Sequence, residues 1–123
     1  MDKNIIWIAS YPKSGNTWVR SILSSLFYTD DGNFNFNILK KINTFDRPFY
    51  FSEVIKDKKV LTYDLTTLAK FRIDAQKLFN KKKTLRFFKT HAANIKIDGF
   101  DYTNHNTTKC VIYIVRDPRD VVL

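Results

Sequence analysis

The chain opens with an apolar run, a tight polar loop and an amphipathic segment, and this order restricts the fold more than any other feature. The run from Ile5 to Ala9 is short, rich in β-branched and aromatic residues, and followed by the loop that contains Pro12. Such a run is typical of a strand buried on both faces of a parallel sheet. From residue 16 or 17 to residue 28, apolar side chains recur at helical spacing. Strand, loop and helix in this order predict an α/β fold.

Two further apolar segments predict strands of the same sheet. They span residues 84–90 and residues 110–115, and the second is followed by Asp117 and Pro118. Asp117 suits the N-cap of a helix and Pro118 its first position. Between the first helix and the second strand, the pattern predicts helices over residues 51–58 and 66–80. A length of 123 residues suits one domain, and we expect a parallel β-sheet flanked by helices.

Polar side chains capable of chemistry follow each of the three predicted strands. Lys13 to Gly15 come after the first strand, Lys89 and His91 lie at the end of the second, and Arg116 follows the third. In open parallel sheets, ligands bind at the carboxyl ends of the strands. We therefore expect these residues to meet at one edge of the sheet and to form the functional site.

The composition limits the class of partner and the compartment. The formal net charge of +9 predicts an anionic partner, such as a nucleotide, a nucleic acid, an acidic polymer or a membrane surface. Cys110 is the single cysteine, so no internal disulfide can form and a reducing compartment is expected. The first apolar run is too short to span a membrane, and its flanks do not fit a signal peptide. We expect a soluble, cytoplasmic protein.

The loop after the first strand has the residues of an anion-binding site. Gly15 permits a tight turn, and the main-chain amides of residues 14–17 lie where the helix begins and its dipole is positive. Lys13 and the hydroxyls of Ser14 and Thr17 add further donors. The loop is not a Walker A sequence, because the lysine precedes the glycine and no earlier glycine is present.

This segment, from Tyr11 to Trp18, resembles the 5′-phosphosulfate loop of the sulfotransferases that use 3′-phosphoadenylyl sulfate (PAPS). The usual form of that loop is Tyr-Pro-Lys-Ser-Gly-Thr-Thr-Trp, and this chain has Asn16 in place of the first of its two threonines. The substitution is mild if the main-chain amide is what binds the phosphate. The resemblance implies a P-loop-like sheet, and it implies that the donor nucleotide is bound by Lys13, Ser14, Gly15, Asn16, Thr17 and Trp18, with the Trp18 ring offered to the adenine.

The second motif, Phe88 to His91, falls where the sulfotransferases carry a Lys-Thr-His segment. By that resemblance His91 is the catalytic base, and a histidine suits this role near neutral pH. Lys89 beside it would offset charge on the transferring sulfonyl group, as basic side chains do in phosphoryl transfer. The other histidine, His105, has no such support and is interpreted as a loop residue.

The third motif, Tyr113 to Val122, resembles the 3′-phosphate-binding segment of the same family, which typically reads Tyr-x-x-Arg-Asn-Pro-Arg-Asp-Val. By the resemblance Arg116 binds the 3′-phosphate, for which a guanidinium fork is well shaped. Asp117 stands where asparagine is usual, which is compatible with helix capping. Arg119 and Asp120 are interpreted as surface or structural residues of the helix that follows.

The resemblance implies sulfonyl transfer from PAPS to a hydroxyl or amine of a small-molecule or glycan acceptor. Lys13 would stabilise the leaving phosphate oxygen, so the expected catalytic residues are His91, Lys13 and Lys89, without a metal. Two alternatives stay open: a P-loop nucleotide kinase or NTPase, and a non-catalytic binder of anions or nucleic acid. The scattered basic residues argue against a nucleic-acid partner, and no membrane partner is expected. Neither the acceptor nor the oligomeric state can be predicted from the sequence.

The three motifs place residues 1–123 in a single sulfotransferase domain, as its N-terminal portion. The family's later Gly-rich segment, which closes over the nucleotide, is not in this sequence. We therefore expect a domain truncated on its C-terminal side, with an exposed third strand and no transferase activity when produced alone.

Overall fold

The computed structural model describes residues 2–122. Within that range the strands are Ile5–Ser10 (β1), Asn43–Thr44 (β2), Arg86–Thr90 (β3) and Thr108–Ile114 (β4). The α-helices are Asn16–Tyr28 (α1), Phe36–Leu39 (α2), Ser52–Ile55 (α3), Leu65–Ala69 (α4), Arg72–Lys81 (α5) and Pro118–Val122 (α6). Two 3₁₀ segments, Pro48–Phe51 and Lys58–Thr62, flank α3.

The strands form one sheet in the order β2-β3-β1-β4, and every pair is parallel. The predicted α/β fold with a parallel sheet flanked by helices is therefore confirmed. After β1 the chain forms β2 and β3 on one side of that strand, and it then crosses to the other side of β1 to form β4. Reversals of this kind create the crevices at strand ends in which doubly wound proteins bind ligands. The loop that follows β1 lies at such a reversal.

The two faces of the sheet pack against different parts of the chain. Side chains alternate along a strand, so Ile5 and Trp7 face one layer while Ile6 and Ile8 face the other. The first layer is an aromatic cluster: the rings that surround Trp7 belong to Phe45, Phe88 and Tyr102. The second layer is α1, which contacts the sheet through Val19 and Leu23. Both faces of β1 are thus covered, as the continuous apolar run predicts.

Buried amides of α5 hold the long connection between β3 and β4. Gln76 Nε2 donates to the carbonyl of Tyr102 at 2.8 Å, and Asn80 Nδ2 donates to the carbonyl of Thr107 at 2.8 Å. Thr107 Oγ1 donates in turn to Gln76 Oε1 at 2.7 Å. These bonds satisfy carbonyls that are shielded from water. They also fix the point at which β4 begins.

The middle of the chain differs from the sequence-based prediction. The helix predicted over residues 51–58 ends at Ile55, because Lys56 has a left-handed φ of 51°. The helix predicted over residues 66–80 is two helices, α4 and α5, separated at residues 70–71. Helix α2 and strand β2 were not predicted, since four and two residues are too short to show a period. Strand β3 begins two residues later than predicted, and β4 spans 108–114 instead of 110–115.

Strand β4 is an edge strand with one covered face. Ile112 and Ile114 pack towards α1, whereas Val111, Tyr113 and Val115 are exposed. The exposure expected for the third predicted strand is therefore found on one face of β4 only. No helix in residues 2–122 has the length and apolar character that a membrane crossing requires.

Candidate active site

The loop between β1 and α1 has a strained backbone at its centre. Gly15 has a φ of 101° and Lys13 a φ of 65°, both in the left-handed region. Glycine adopts this region freely, but a residue with a Cβ atom does so at a cost of roughly 1–2 kcal/mol. Backbone strain of this kind clusters at functional sites. The surrounding fold therefore holds this loop in a tight turn, as it holds Lys56, Lys83 and Asp98 in theirs.

The N-terminus of α1 leaves its amides available to an anion. Its N-cap, Gly15, makes no side-chain capping bond, and its first turn contains no acidic residue. The first helical hydrogen bond runs from the amide of Val19 to the carbonyl of Gly15 at 3.2 Å. The amides before Val19 consequently have no partner within the helix. Thirteen residues of helix behind them add positive potential.

The side chain of Asn16 points away from this anion site and is buried under the loop. Its Nδ2 donates to the carbonyl of Ile8 at 3.1 Å and to Ser10 Oγ at 3.2 Å. Asn16 can therefore offer an anion only its main-chain amide. Ser14 is also buried, whereas Lys13 and Thr17 are exposed. The loop thus combines fixed amides with two exposed side chains of the predicted donor site.

His91 lies against the end of β1, as the parallel arrangement of β1 and β3 requires. Its Nδ1 atom is 2.8 Å from the main-chain oxygen of Ser10 and 3.3 Å from Ser10 Oγ. The His91 side chain is otherwise exposed. The second predicted strand end therefore meets the first.

Lys89 lies on the face of β3 that is packed against α1, two residues after the buried Phe87. Burial lowers the pKa of Lys89 below its usual value, and the nearby positive charge of Arg20 lowers it further. Arg20 is held by the carbonyl of Ile42, to which its Nη2 donates at 2.6 Å. Two cations thus share this face near the carboxyl ends of the strands. An anion bound there would be stabilised by both.

Arg116 joins the third strand end to the loop between β1 and α1 (residues 11–15), which we call the anion loop. Its Nη1 donates to the main-chain oxygen of Lys13 at 3.3 Å. Beside it lies a cavity of about 390 Å³, whose walls include Tyr11 and Ser14 from the loop and Val121 from α6. Arg116 itself also lines this cavity. All three predicted strand ends therefore come together.

The residue after Arg116 caps the last helix, as predicted. The Oδ1 atom of Asp117 accepts from the Arg119 amide at 2.9 Å. Its Oδ2 atom also pairs with the guanidinium of Arg119 at 2.7 Å. Both Arg119 and Asp120 are exposed, in agreement with a surface role.

Trp18 is 77% exposed and does not belong to the core. It lines an open groove of about 670 Å³ that follows the outer side of α1. Ile22, Leu26 and Phe36 supply other apolar walls of this groove. One face of the indole is therefore open to a planar ligand.

Sequence reasoning missed two residues that position others in the site. Ser10 contacts both Asn16 and His91, and Arg20 acts on Lys89. Neither belongs to a motif, and the only signal for Ser10 is that it is the first polar residue after the apolar run. Within residues 2–122, no group of three or more His, Cys, Asp or Glu side chains is placed to hold a metal ion.

Comparison with known proteins bears on the identity of the domain. The family model described as the sulfotransferase domain matches residues 3–123, which is nearly the whole chain. No curated protein and no solved structure matches the chain significantly. The matched range contains the anion loop, His91 and Arg116. The chain therefore belongs to the sulfotransferase domain family.

Proposed function

We propose that the protein to which this domain belongs transfers a sulfonyl group from PAPS to a hydroxyl or amine of a small-molecule or glycan acceptor. The observation that carries the proposal is the meeting of three strand ends at one edge of the sheet. There Arg116 contacts the carbonyl of Lys13, and His91 contacts Ser10. A donor with two separate phosphate groups needs two anion sites close together. The anion loop and Arg116 supply them.

The donor is proposed to lie along the start of α1. Its 5′-phosphosulfate accepts hydrogen bonds from the amides of residues 14–17 and from Lys13, with Ser14 and Thr17 adding hydroxyls. Arg116, which lines the cavity beside the anion loop, binds the 3′-phosphate. The exposed ring of Trp18 stacks on the adenine, because aromatic faces are favourable surfaces for a flat base.

The proposed step is an in-line displacement at sulfur. The acceptor oxygen or nitrogen forms a bond to sulfur while the bond from sulfur to the 5′-phosphate oxygen breaks. His91 takes the acceptor's proton as general base and later releases it to water. Lys13 stabilises the negative charge that develops on the leaving phosphate oxygen, and Lys89 offsets charge on the sulfonyl oxygens. The products are the sulfated acceptor and adenosine 3′,5′-bisphosphate.

Membership of the sulfotransferase family favours this reaction over the two alternatives. A kinase or NTPase of the P-loop type has its lysine after the last glycine of the loop, whereas Lys13 precedes Gly15. A nucleic-acid binder does not require a strained loop beside a histidine at a strand end. The proposed sulfonyl transfer uses both the loop, to bind the donor, and the histidine, as the base.

The test is transfer of labelled sulfonyl from PAPS to a panel of phenols, alcohols, amines and sugars. It is made on the protein produced from its full natural coding sequence. We expect labelled product with at least one acceptor class, together with release of adenosine 3′,5′-bisphosphate in equal amount. Transfer of a phosphoryl group from ATP, with no sulfonyl transfer from PAPS, would contradict the proposal.

A further inference from the structure

Ser10 connects the first residue of α1 to His91. Its hydroxyl accepts from Asn16 Nδ2 at 3.2 Å, and its main-chain oxygen lies 2.8 Å from Nδ1 of His91. Ser10 and Asn16 are both buried, each with 5% of its surface exposed. The Asn16 amide makes a second bond, to the carbonyl of Ile8 at 3.1 Å. Ile8 precedes Ser10 by two residues, so both bonds hold the same end of β1.

The contact with Ser10 determines which nitrogen of His91 carries the proton. A carbonyl oxygen can only accept a hydrogen bond, so a close Nδ1 atom must donate one. In a neutral imidazole with its proton on Nδ1, the lone pair is on Nε2. A general base needs that lone pair on the nitrogen that reaches the acceptor. The backbone of β1 therefore prepares His91 to take a proton through Nε2.

We propose that Ser10 and Asn16 are positioning residues for the histidine. The Ser10 carbonyl fixes the Nδ1–H tautomer, and the two bonds from the Asn16 amide, one to Ile8 and one to Ser10, fix the end of β1 that carries this carbonyl. The inference rests on the proposed function, in which His91 is the base. It gives Asn16 a role that its resemblance to the phosphosulfate loop does not assign. A threonine hydroxyl, usual at this position, has one proton and cannot donate to both Ile8 and Ser10.

This arrangement links donor binding to the base through one residue. The main-chain amide of Asn16 lies at the N-terminus of α1, where the donor phosphate is proposed to bind. Its side chain meanwhile holds the strand end against which His91 rests. A shift of α1 towards or away from the anion would therefore move the Ser10 carbonyl that His91 contacts.

The first test reads the tautomer directly in the ¹⁵N-labelled chain, without donor or acceptor. Long-range ¹⁵N–¹H correlation spectra distinguish the two neutral forms of an imidazole. The chain has two histidines, so His105→Gln assigns the signals of His91. We expect neutral His91 to be mainly Nδ1–H. Mainly Nε2–H in the wild type would overturn the inference, and this reading needs no variant of a buried residue.

The second test is a double-mutant cycle on the same spectra. Ser10→Ala and Asn16→Ala both retain the Ser10 carbonyl but remove the hydrogen bond between Asn16 and the Ser10 hydroxyl that holds it in place. In each we expect the ratio of Nδ1–H to Nε2–H to fall by roughly 2- to 12-fold, the effect of one ordinary hydrogen bond. Because Asn16 acts through Ser10, the double variant should fall no further than the larger single effect. If the two effects are fully additive, or if the ratio is unchanged in both single variants, Asn16 does not position His91 through Ser10. If the protein produced from its full natural coding sequence has the Nδ1–H tautomer but transfers no sulfonyl group, the proposed function is refuted instead.

Discussion

The guanidinium of Arg116 donates to the main-chain oxygen of Lys13, a residue 103 positions earlier in the chain. The contact is 3.3 Å long and joins the end of β4 to the strained loop after β1. Because β1 and β4 are parallel neighbours, their carboxyl ends necessarily lie side by side. The pairing of these two strands therefore brings Arg116 to the loop that contains Lys13, as the proposed binding of a nucleotide with two phosphate groups requires.

Lys13→Ala should impair both donor binding and turnover. In the proposed reaction the Lys13 amine faces the donor phosphate in the ground state and the leaving oxygen in the transition state. Loss of one such contact commonly costs about 2.7–4 kcal/mol in the transition state, so kcat should fall by roughly 10²- to 10³-fold. Steady-state kinetics with PAPS measures both effects. Unchanged kinetics would remove Lys13 from the mechanism.

Lys13→Gly is the matched control for a purely structural effect. Glycine accepts the φ of 65° at this position without strain. After the extra backbone entropy of glycine is subtracted, the free energy of unfolding should rise by about 0–1.5 kcal/mol. Denaturant unfolding should therefore find this variant at least as stable as the wild type while it is as inactive as Lys13→Ala.

His91→Ala should lower kcat by roughly 10²- to 10⁴-fold and leave nucleotide affinity nearly intact, because a general base acts on the acceptor and in the transition state. His105→Ala is the control, since His105 lies in an exposed turn just before β4, at the amino end of that strand. Steady-state rates and calorimetric titration with adenosine 3′,5′-bisphosphate separate the two quantities. If His91→Ala loses affinity but retains its rate, His91 is a binding residue and not the base.

Lys89→Met should raise the free energy of unfolding at neutral pH while it lowers turnover. Burial and Arg20 lower the pKa of Lys89 in the folded protein below the usual 10.5. Between the folded and the unfolded pKa the unfolded chain binds more protons, so the contribution of Lys89 to stability rises with pH in that window. The stability advantage of the variant should therefore narrow as the pH approaches 10.5. Urea unfolding across this range measures it, and a variant less stable than the wild type at pH 7 would contradict the assignment.

Arg72→Met should destabilise the fold through its buried ion pair. Arg72 is 1% exposed, its Nε lies 3.0 Å from Asp46 Oδ1, and its guanidinium stacks on the ring of Tyr102. Burial already raises the pKa of Asp46, so removal of its partner leaves a carboxylate that is poorly solvated. The expected loss is about 3–5 kcal/mol.

Lys77→Met on the same helix is the control for Arg72→Met. The pair between Lys77 and Asp74 is also 3.0 Å long but is exposed. Its removal should cost no more than about 1 kcal/mol. Equal losses for the two variants in denaturant unfolding would show that burial does not determine the importance of the Arg72 pair.

The parts of the fold that were predicted correctly are those with an unbroken period. Strand β1 and helix α1 follow continuous patterns, and both lie within one residue of their predicted bounds. The segment between α1 and β3 was predicted poorly, because its helices end where the backbone conformation changes and not where the pattern of apolar residues changes. The left-handed φ of Lys56 ends α3, yet lysine carries no signal for that conformation.

The sequence predicted that the carboxyl ends of the three strands meet, but it did not predict the contacts that join them. Motif resemblance identified Asn16 and His91, and Asn16 was interpreted through its main-chain amide alone. The contact between Ser10 and His91 spans 81 residues and depends on the register of β1 against β3. Such contacts arise from tertiary packing, so no local pattern contains them.

The most direct measurement of the central claim is titration calorimetry with adenosine 3′,5′-bisphosphate and with AMP. If the anion loop and Arg116 bind one nucleotide together, the wild type should bind the bisphosphate more tightly than AMP. Arg116→Ala should lose this preference, whereas Arg119→Ala, which removes an exposed arginine three residues away, should retain it. Equal affinity of the wild-type protein for the two nucleotides would contradict the account.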